Sequence, residues 1–269
     1  MDSLLAAIRA AAAEELSRGL PLLSLRQYPW GVGPYLFRDS AELGELRIEP
    51  LYPVGKALLS LVRARALPVA VVARPCEVRQ LVEMAKRQQV QPADVRILTF
   101  SCDSAQAQVC RCEEPGTTSL GWPELVVIGE ESAQPAAAAI ALPEDPAERR
   151  RFWAAQFAKC IKCYGCRNVC PMCFCEHCEL EDPLWVERGK LLPGLPMFHL
   201  IRAMHMSARC TACRQCEAAC PAHIPLTALY DALRQEVGSL LGYRPGASLA
   251  QRPPLSLSLR EAPMQTGRH

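Results

Sequence analysis

Apolar residues recur at helical spacing from the start of the chain. Leu4, Leu5, Ile8 and Ala12 share one face and predict an amphipathic helix over residues 3–17. Between residues 19 and 53, glycine and proline break the pattern so often that only short strands are expected. A stripe of Leu58, Leu59 and Val62 predicts a second helix over 55–65. A β-α-β unit follows. The apolar run 67–73 reads as a buried strand, 77–88 as an amphipathic helix and 95–101 as a second strand. A right-handed parallel crossover is the default for such a unit. Residues 122–129 predict one more strand.

Helical periodicity takes over after that. Residues 131–148 begin as an alanine- and proline-rich linker and run into a helix over 146–159. A second helix is expected over 196–209. A third opens at Pro225, carries Leu226, Leu229, Leu233, Val237 and Leu240 on one face, and ends at Gly242. Residues 245–269 are rich in proline and serine and read as an extended or disordered tail. The expected architecture is an α/β domain with a small parallel sheet over 1–130 and an α-helical domain over 149–244.

Two matching cysteine runs turn this architecture into chemistry. Cys160, Cys163, Cys166 and Cys170 precede Pro171, and Cys210, Cys213, Cys216 and Cys220 precede Pro221. Each run reads C-x2-C-x2-C-x3-C-P, the bacterial ferredoxin spacing for a cubane iron–sulfur cluster. Three thiolates two residues apart on a turning backbone reach three corners of one cube. The proline ends the local helix, and the fourth thiolate is left to serve the neighbouring cluster. Zinc sites use paired C-x2-C or mixed Cys/His sets, so a zinc-stabilised scaffold without a redox role is the weaker alternative.

Composition narrows the setting. The 15 cysteines, in a chain of 269 residues with no basic leader (Asp2 stands near the start), point to metal and not to disulfides. A formal net charge of +2 provides no global field for nucleic acid, and no apolar run approaches membrane-spanning length. A cytoplasmic protein is expected. Lys159, Lys162, Arg167, Arg209 and Arg214 flank the runs. Their charge would favour a reduced cluster or the docking of an acidic partner such as a ferredoxin; the plain alternative is a solvated helix face.

The other seven cysteines form two groups. Cys76 and Cys102 follow two strands that, if parallel neighbours, place both thiols beyond the carboxyl edge of the sheet, where open α/β sheets bind ligands. Cys110 and Cys112 lie in the next loop and could return to that edge, which makes a third metal site conceivable. The helix start at Cys76 favours a thiolate or an anionic cofactor, while the plain reading of each thiol is a small buried hydrophobe. Cys173, Cys175 and Cys178 crowd behind the first run. They need a fourth donor, such as His177 or one of Cys110 and Cys112, or else only donate weak hydrogen bonds to cluster sulfur. His199, His205, His223 and His269 show no ligand-like spacing; His199 and His205 read as surface or half-buried helix residues.

The helical spacing of 50 positions between Cys160 and Cys210 resembles the α-helical ferredoxin domains of fumarate reductase iron–sulfur subunits and heterodisulfide reductase subunits. Crossed fourth ligands would give Cys160, Cys163, Cys166 and Cys220 on one [4Fe–4S] cluster and Cys210, Cys213, Cys216 and Cys170 on the other. The stretch 73–81 (ARPCEVRQL) in its β-α-β setting resembles the C-terminal domain of the β subunits of deazaflavin-reducing hydrogenases and formate dehydrogenases. Residues 159–178 and 198–221 are similar to the dicluster module of bacterial relatives of those subunits. The resemblance implies a subunit of a redox complex with formate dehydrogenase, hydrogenase or heterodisulfide-reductase-like partners. It also implies a flavin, FAD, in members with complete N-terminal domains. In this chain Trp30-Gly31-Val32-Gly33 runs into Pro34 and opens no dinucleotide-binding helix. The expected function is a relay of single electrons between partners; the alternative is a flavin-bearing β subunit that completes a two-electron reaction itself.

Overall fold

The computed structural model describes residues 2–116, 120–129, 134–135, 140–184 and 195–254. The chain divides into two compact units, Met1–Ala138 with Gly246–Ala250, and Ala139–Pro245 with Gln251–His269. Most of the expected linker, and the tail beyond residue 254 with His269, lie outside the described residues.

The first unit is an α/β layer structure. Its elements are α1 (Asp2–Ser17), β1 (Leu22–Tyr28), β2 (Gly31–Phe37), β3 (Leu46–Arg47), α2 (Val54–Arg63), β4 (Val69–Ala73), α3 (Pro75–Lys86), β5 (Val95–Phe100), α4 (Ser104–Cys110) and β6 (Leu125–Ile128). The sheet runs β2-β1-β4-β5-β6, with β3 also on β1. Strands β1, β4, β5 and β6 are parallel neighbours, whereas β2 and β3 pair antiparallel with β1. The sheet is therefore mixed, not the small parallel sheet the sequence suggests. The stretch 19–53 yields short strands as expected, but it folds them as a hairpin onto the edge of the parallel core. Gly31-Val32-Gly33-Pro34 belongs to edge strand β2, where Pro34 is tolerated.

Strand β4 is buried along its whole length because it is covered on both faces. Ile8 and Ala12 of α1 join Ala70, Val72, Leu98 and Phe100 in one cluster. Val69, Val71 and Ala73 point the opposite way and are equally buried, and α3 packs on β4 and β5 as the crossover helix. Glu83 on α3 is 0% exposed, pairs with Lys86 at 2.9 Å and Arg87 at 2.8 Å, and accepts the Gly246 N–H at 2.9 Å. Gly246 (φ +76°) fits there because a Cβ would stand 2.6 Å from the Arg79 carbonyl oxygen. Residues 246–250 thus belong to the first unit and are not part of a loose tail.

The second unit is helical among the described residues: α5 (Pro146–Ala158), α6 (Gly165–Asn168), α7 (Leu195–Met206), α8 (Gln215–Ala218) and α9 (Leu226–Leu241). Asp145 caps α5 through the Glu148 N–H, and Gly242 in the left-handed conformation closes α9. Helix α9 buries Leu226 of the expected stripe together with Thr227, Tyr230 and Asp231, while Leu229, Leu233 and Val237 are half-buried and Leu240 is exposed. The helix turns its polar face inward because Arg214 and Arg234 meet Asp231 there, at 3.8 and 3.0 Å. His199 of α7, expected to be surface or half-buried, is fully buried and stacks on Phe157 of α5 at 4.7 Å. Among the described residues no helix is long and apolar enough to cross a membrane.

Two stability predictions follow from this packing. Glu83→Ala leaves a buried ammonium and the Gly246 N–H without their carboxylate, and is expected to lower unfolding free energy by about 3 kcal/mol or more in denaturant titrations. Burial, then the nearby Arg202, depresses the His199 pKa from 6.5 to about 4. The neutral ring therefore stabilises the fold fully above pH 6.5. About 3 kcal/mol of stability is lost as pH falls from there through 4, because the unfolded chain takes up the proton first. His199→Phe should flatten the pH dependence of unfolding in that window.

Candidate metal centre

The two cysteine runs fold alike. Lys162 (φ 54°) and Tyr164 (φ 57°) flank Cys163, and Ala212 (φ 54°) and Arg214 (φ 59°) flank Cys213, all in the left-handed region. Each such residue costs about 1 kcal/mol or more, so strain recurs at matching positions of both runs. The alternation winds the backbone around a point and turns its N–H groups inward, a concavity suited to anions and to iron–sulfur sites. The Lys162 N–H donates to Cys160 Sγ at 3.5 Å, and the Ala212 N–H does the same for Cys210. One-turn helices α6 and α8 then carry Cys166 and Cys216, and Cys170-Pro171 and Cys220-Pro221 stop them. Gly165 lets α6 and α8 meet, since a Cβ there would stand 3.1 Å from the Ala219 carbonyl oxygen.

Tertiary packing exchanges the fourth cysteines. Cys220 lies within charge range of Cys160 and Cys166, as does Cys163. Cys170 lines a small hollow, partly open to solvent, with Cys210, Cys213 and Cys216. Each group therefore holds three thiols from one run and one from the other. Burial pushes the Cys160, Cys166, Cys210 and Cys216 thiols up, against the inward N–H groups and the nearby Arg202 guanidinium. With burial dominant these four thiols favour the protonated form, and a cation at the site would favour their thiolates.

All eight residues of these groups are thiols, a donor set that suits iron–sulfur clusters. Among the described residues no three Cys, His, Asp or Glu side chains are grouped so that they could hold a single metal ion. A tetrahedral zinc with bonds of about 2.3 Å would need its thiolates within about 4 Å of one another. A cube takes one thiolate at each corner and needs them farther apart, around a space such as the hollow between Cys170 and the second run.

The first unit brings another set together. Strands β4 and β5 are parallel neighbours with Ala73 opposite Thr99, so Cys76 and Cys102 both lie just past their carboxyl ends, as the sequence suggests. Helix α4, capped by Asp103, ends at Arg111 (φ 48°) and turns the chain back. Cys102 then lies within charge range of Cys112 and Cys110, and Cys76 within range of Cys102. Burial dominates both inner thiols: it raises Cys76 strongly and pushes Cys102 up to about 12 against the opposing Arg74 charge. The start of α3 therefore does not stabilise a free Cys76 thiolate.

Cys173, Cys175 and Cys178 are not drawn into one site. Cys173 hydrogen-bonds Cys170, Cys178 neighbours Arg167, and Cys175 is exposed. The flanking cations also divide. Arg214 is buried against Glu217 and Asp231, each at 3.8 Å, while Arg167 pairs with Glu181 and Arg209 lies over Phe174. Arg214 is thus unavailable to a docking partner.

With this geometry in view, the chain can be set beside known proteins. It is similar over 94 residues to formate dehydrogenase β subunits. The F420-dependent formate dehydrogenase subunit beta of Methanocaldococcus jannaschii is 45% identical there, which covers 35% of this chain and 25% of the relative. The F420-dependent formate dehydrogenase 1 subunit beta of Methanococcus maripaludis is 43% identical, covering 35% and 24%. The chain spans about a quarter of the length of these curated relatives. No family model matches it. The likeness to β subunits of deazaflavin-linked enzymes, read from residues 73–81, 159–178 and 198–221, is upheld.

Sequence reasoning missed Arg202. Its guanidinium is buried in the second unit, donates to the Cys166 carbonyl at 2.9 Å and to Tyr230 Oη, and lines the hollow at Cys170. The signal was present, because Arg202 stands between the buried Phe198 and Met206 at helical spacing, a cation within an apolar stripe.

Proposed function

We propose that this chain is an iron–sulfur electron-relay subunit of a formate dehydrogenase-type complex, working in the cytoplasm. What supports the reading is that Cys170 lines one hollow with Cys210, Cys213 and Cys216, while Cys220 lies within charge range of Cys160 and Cys166. Cys160, Cys163, Cys166 and Cys220 would hold one [4Fe–4S] cluster, and Cys210, Cys213, Cys216 and Cys170 the other. The helical unit would then be a ferredoxin-like dicluster domain. Bound there, the clusters would supply reversible one-electron storage.

The chain's own part is to hold, orient and insulate. The inward N–H groups of Lys162 and Ala212 neutralise thiolate charge, Pro171 and Pro221 release the exchanged cysteines, and buried Met206 and Tyr230 keep water from the second site. The similarity to F420-dependent formate dehydrogenase β subunits supports formate dehydrogenase partners ahead of hydrogenase or heterodisulfide-reductase-like ones. Met197, Leu200 and Met204 expose an apolar face on α7, and Ile161 beside Cys160 is exposed as well; both suit a docking subunit. Cys76, Cys102, Cys110 and Cys112 form the candidate third site.

Iron, sulfide, zinc and flavin content of anaerobically purified protein tests the reading. About eight irons and eight sulfides per chain are expected for two cubes, and about twelve irons if the third site is filled. Zinc without sulfide overturns the relay, and stoichiometric FAD turns the chain into a flavin-bearing subunit. Cys163→Ser should remove about four irons; unchanged iron would sink the ligand assignment. In a protein with about twelve irons, Cys76→Ala should remove the third set, and undiminished iron would leave that thiol a structural residue.

A further inference from the structure

The second unit buries a positive charge that its carboxylates leave unneutralised. Arg202 is 2% exposed, and among the described residues no carboxylate pairs with it. Asp231, on the helix facing it, is held by Arg214 and Arg234. The guanidinium donates to Tyr230 Oη, to the Cys166 carbonyl at 2.9 Å and to Cys173 Sγ at 3.8 Å, all uncharged groups in the metal-free protein. Its Nε–H is buried with no acceptor. An unpaired buried cation costs several kcal/mol, and an orphaned donor adds to that, so the site calls for an anion.

The hollow beside it identifies that anion. Arg202 lines the space framed by Cys170, Cys210, Cys213 and Cys216, while its second contact, the Cys166 carbonyl, belongs to a residue of the other four-thiol group. A cube with four thiolates carries net negative charge in every working state, and more after it takes up an electron. We infer that Arg202 is the buried countercharge of the Cys170–Cys210–Cys213–Cys216 site, a positioning residue that holds that cluster and raises its potential while reaching the neighbouring site through the Cys166 carbonyl. The inference rests on the two-cluster reading. The sign is set by electrostatics: a fixed cation stabilises the reduced, more negative state, so removing it makes reduction harder. The cluster beside the hollow should respond more than its neighbour.

The test is an EPR-monitored redox titration with iron analysis of the wild type, Arg202→Gln and Arg202→Lys. The signal of the second site is assigned by its loss in Cys213→Ser. Full iron in the Gln variant with a lower midpoint for that signal, and a Lys variant nearer the wild type, is the expected result. Full iron with an unmoved midpoint overturns the role of Arg202 and leaves the clusters standing. If the Gln variant instead loses about four irons, restoration by Lys supports the countercharge, and failure of Lys to restore them overturns it. A wild type without iron and sulfide overturns the cluster reading and this inference together.

Discussion

A protein interior tolerates a group of thiolates only where positive charge meets them, and the helical unit is organised around that requirement. Buried thiols of both cysteine groups are pushed toward the protonated form by desolvation. The structure opposes this with inward N–H groups held by left-handed residues and with one guanidinium between the two groups. The left-handed residues are strained, and among the described residues the guanidinium pairs with no carboxylate. Under the two-cluster proposal, a net-anionic cluster with its thiolates would offset these costs and would couple folding to cluster binding in this unit.

The surrounding helices serve the same end. Helices α6 and α8 are single turns, too short to be stable alone, and their approach through Gly165 brings Cys220 to the first run and Cys170 to the second. Helix α7 delivers Arg202 from one side, and α9 presents Tyr230 and Asp231 from the other. Asp231 steadies Arg214 and Arg234, and among the described residues no carboxylate pairs with Arg202.

The α/β unit follows a different logic. Its parallel core is closed by ordinary hydrophobic burial on both faces, and chemistry is confined to the carboxyl edge, where Cys76 and Cys102 end adjacent strands and the loop after α4 returns Cys110 and Cys112. The helical unit carries the two cysteine runs, and the sheet edge of the other unit carries Cys76 and Cys102 with Cys110 and Cys112 in the following loop. The similarity to formate dehydrogenase β subunits extends over 94 residues.

Local pattern by itself determined a good deal. Apolar periodicity placed α1, α2, the β4-α3-β5 unit, α5 and α9 to within a few residues, since those segments carry their burial in their own spacing. Cysteine spacing marked the ligand candidates, because a cube constrains residues that lie close in the chain. What depends on distant segments was decided only in three dimensions. The β1–β2 hairpin made the sheet mixed, a pairing no local pattern encodes. Helix α9 buried Tyr230 and Asp231 ahead of Leu229, Leu233 and Leu240 because Arg214 and Arg234 needed a carboxylate. His199 went inside to stack on Phe157. Arg202, absent from the sequence reading, stood out only once packing buried it with no carboxylate partner among the described residues, since burial and missing partners are properties of the assembled interior.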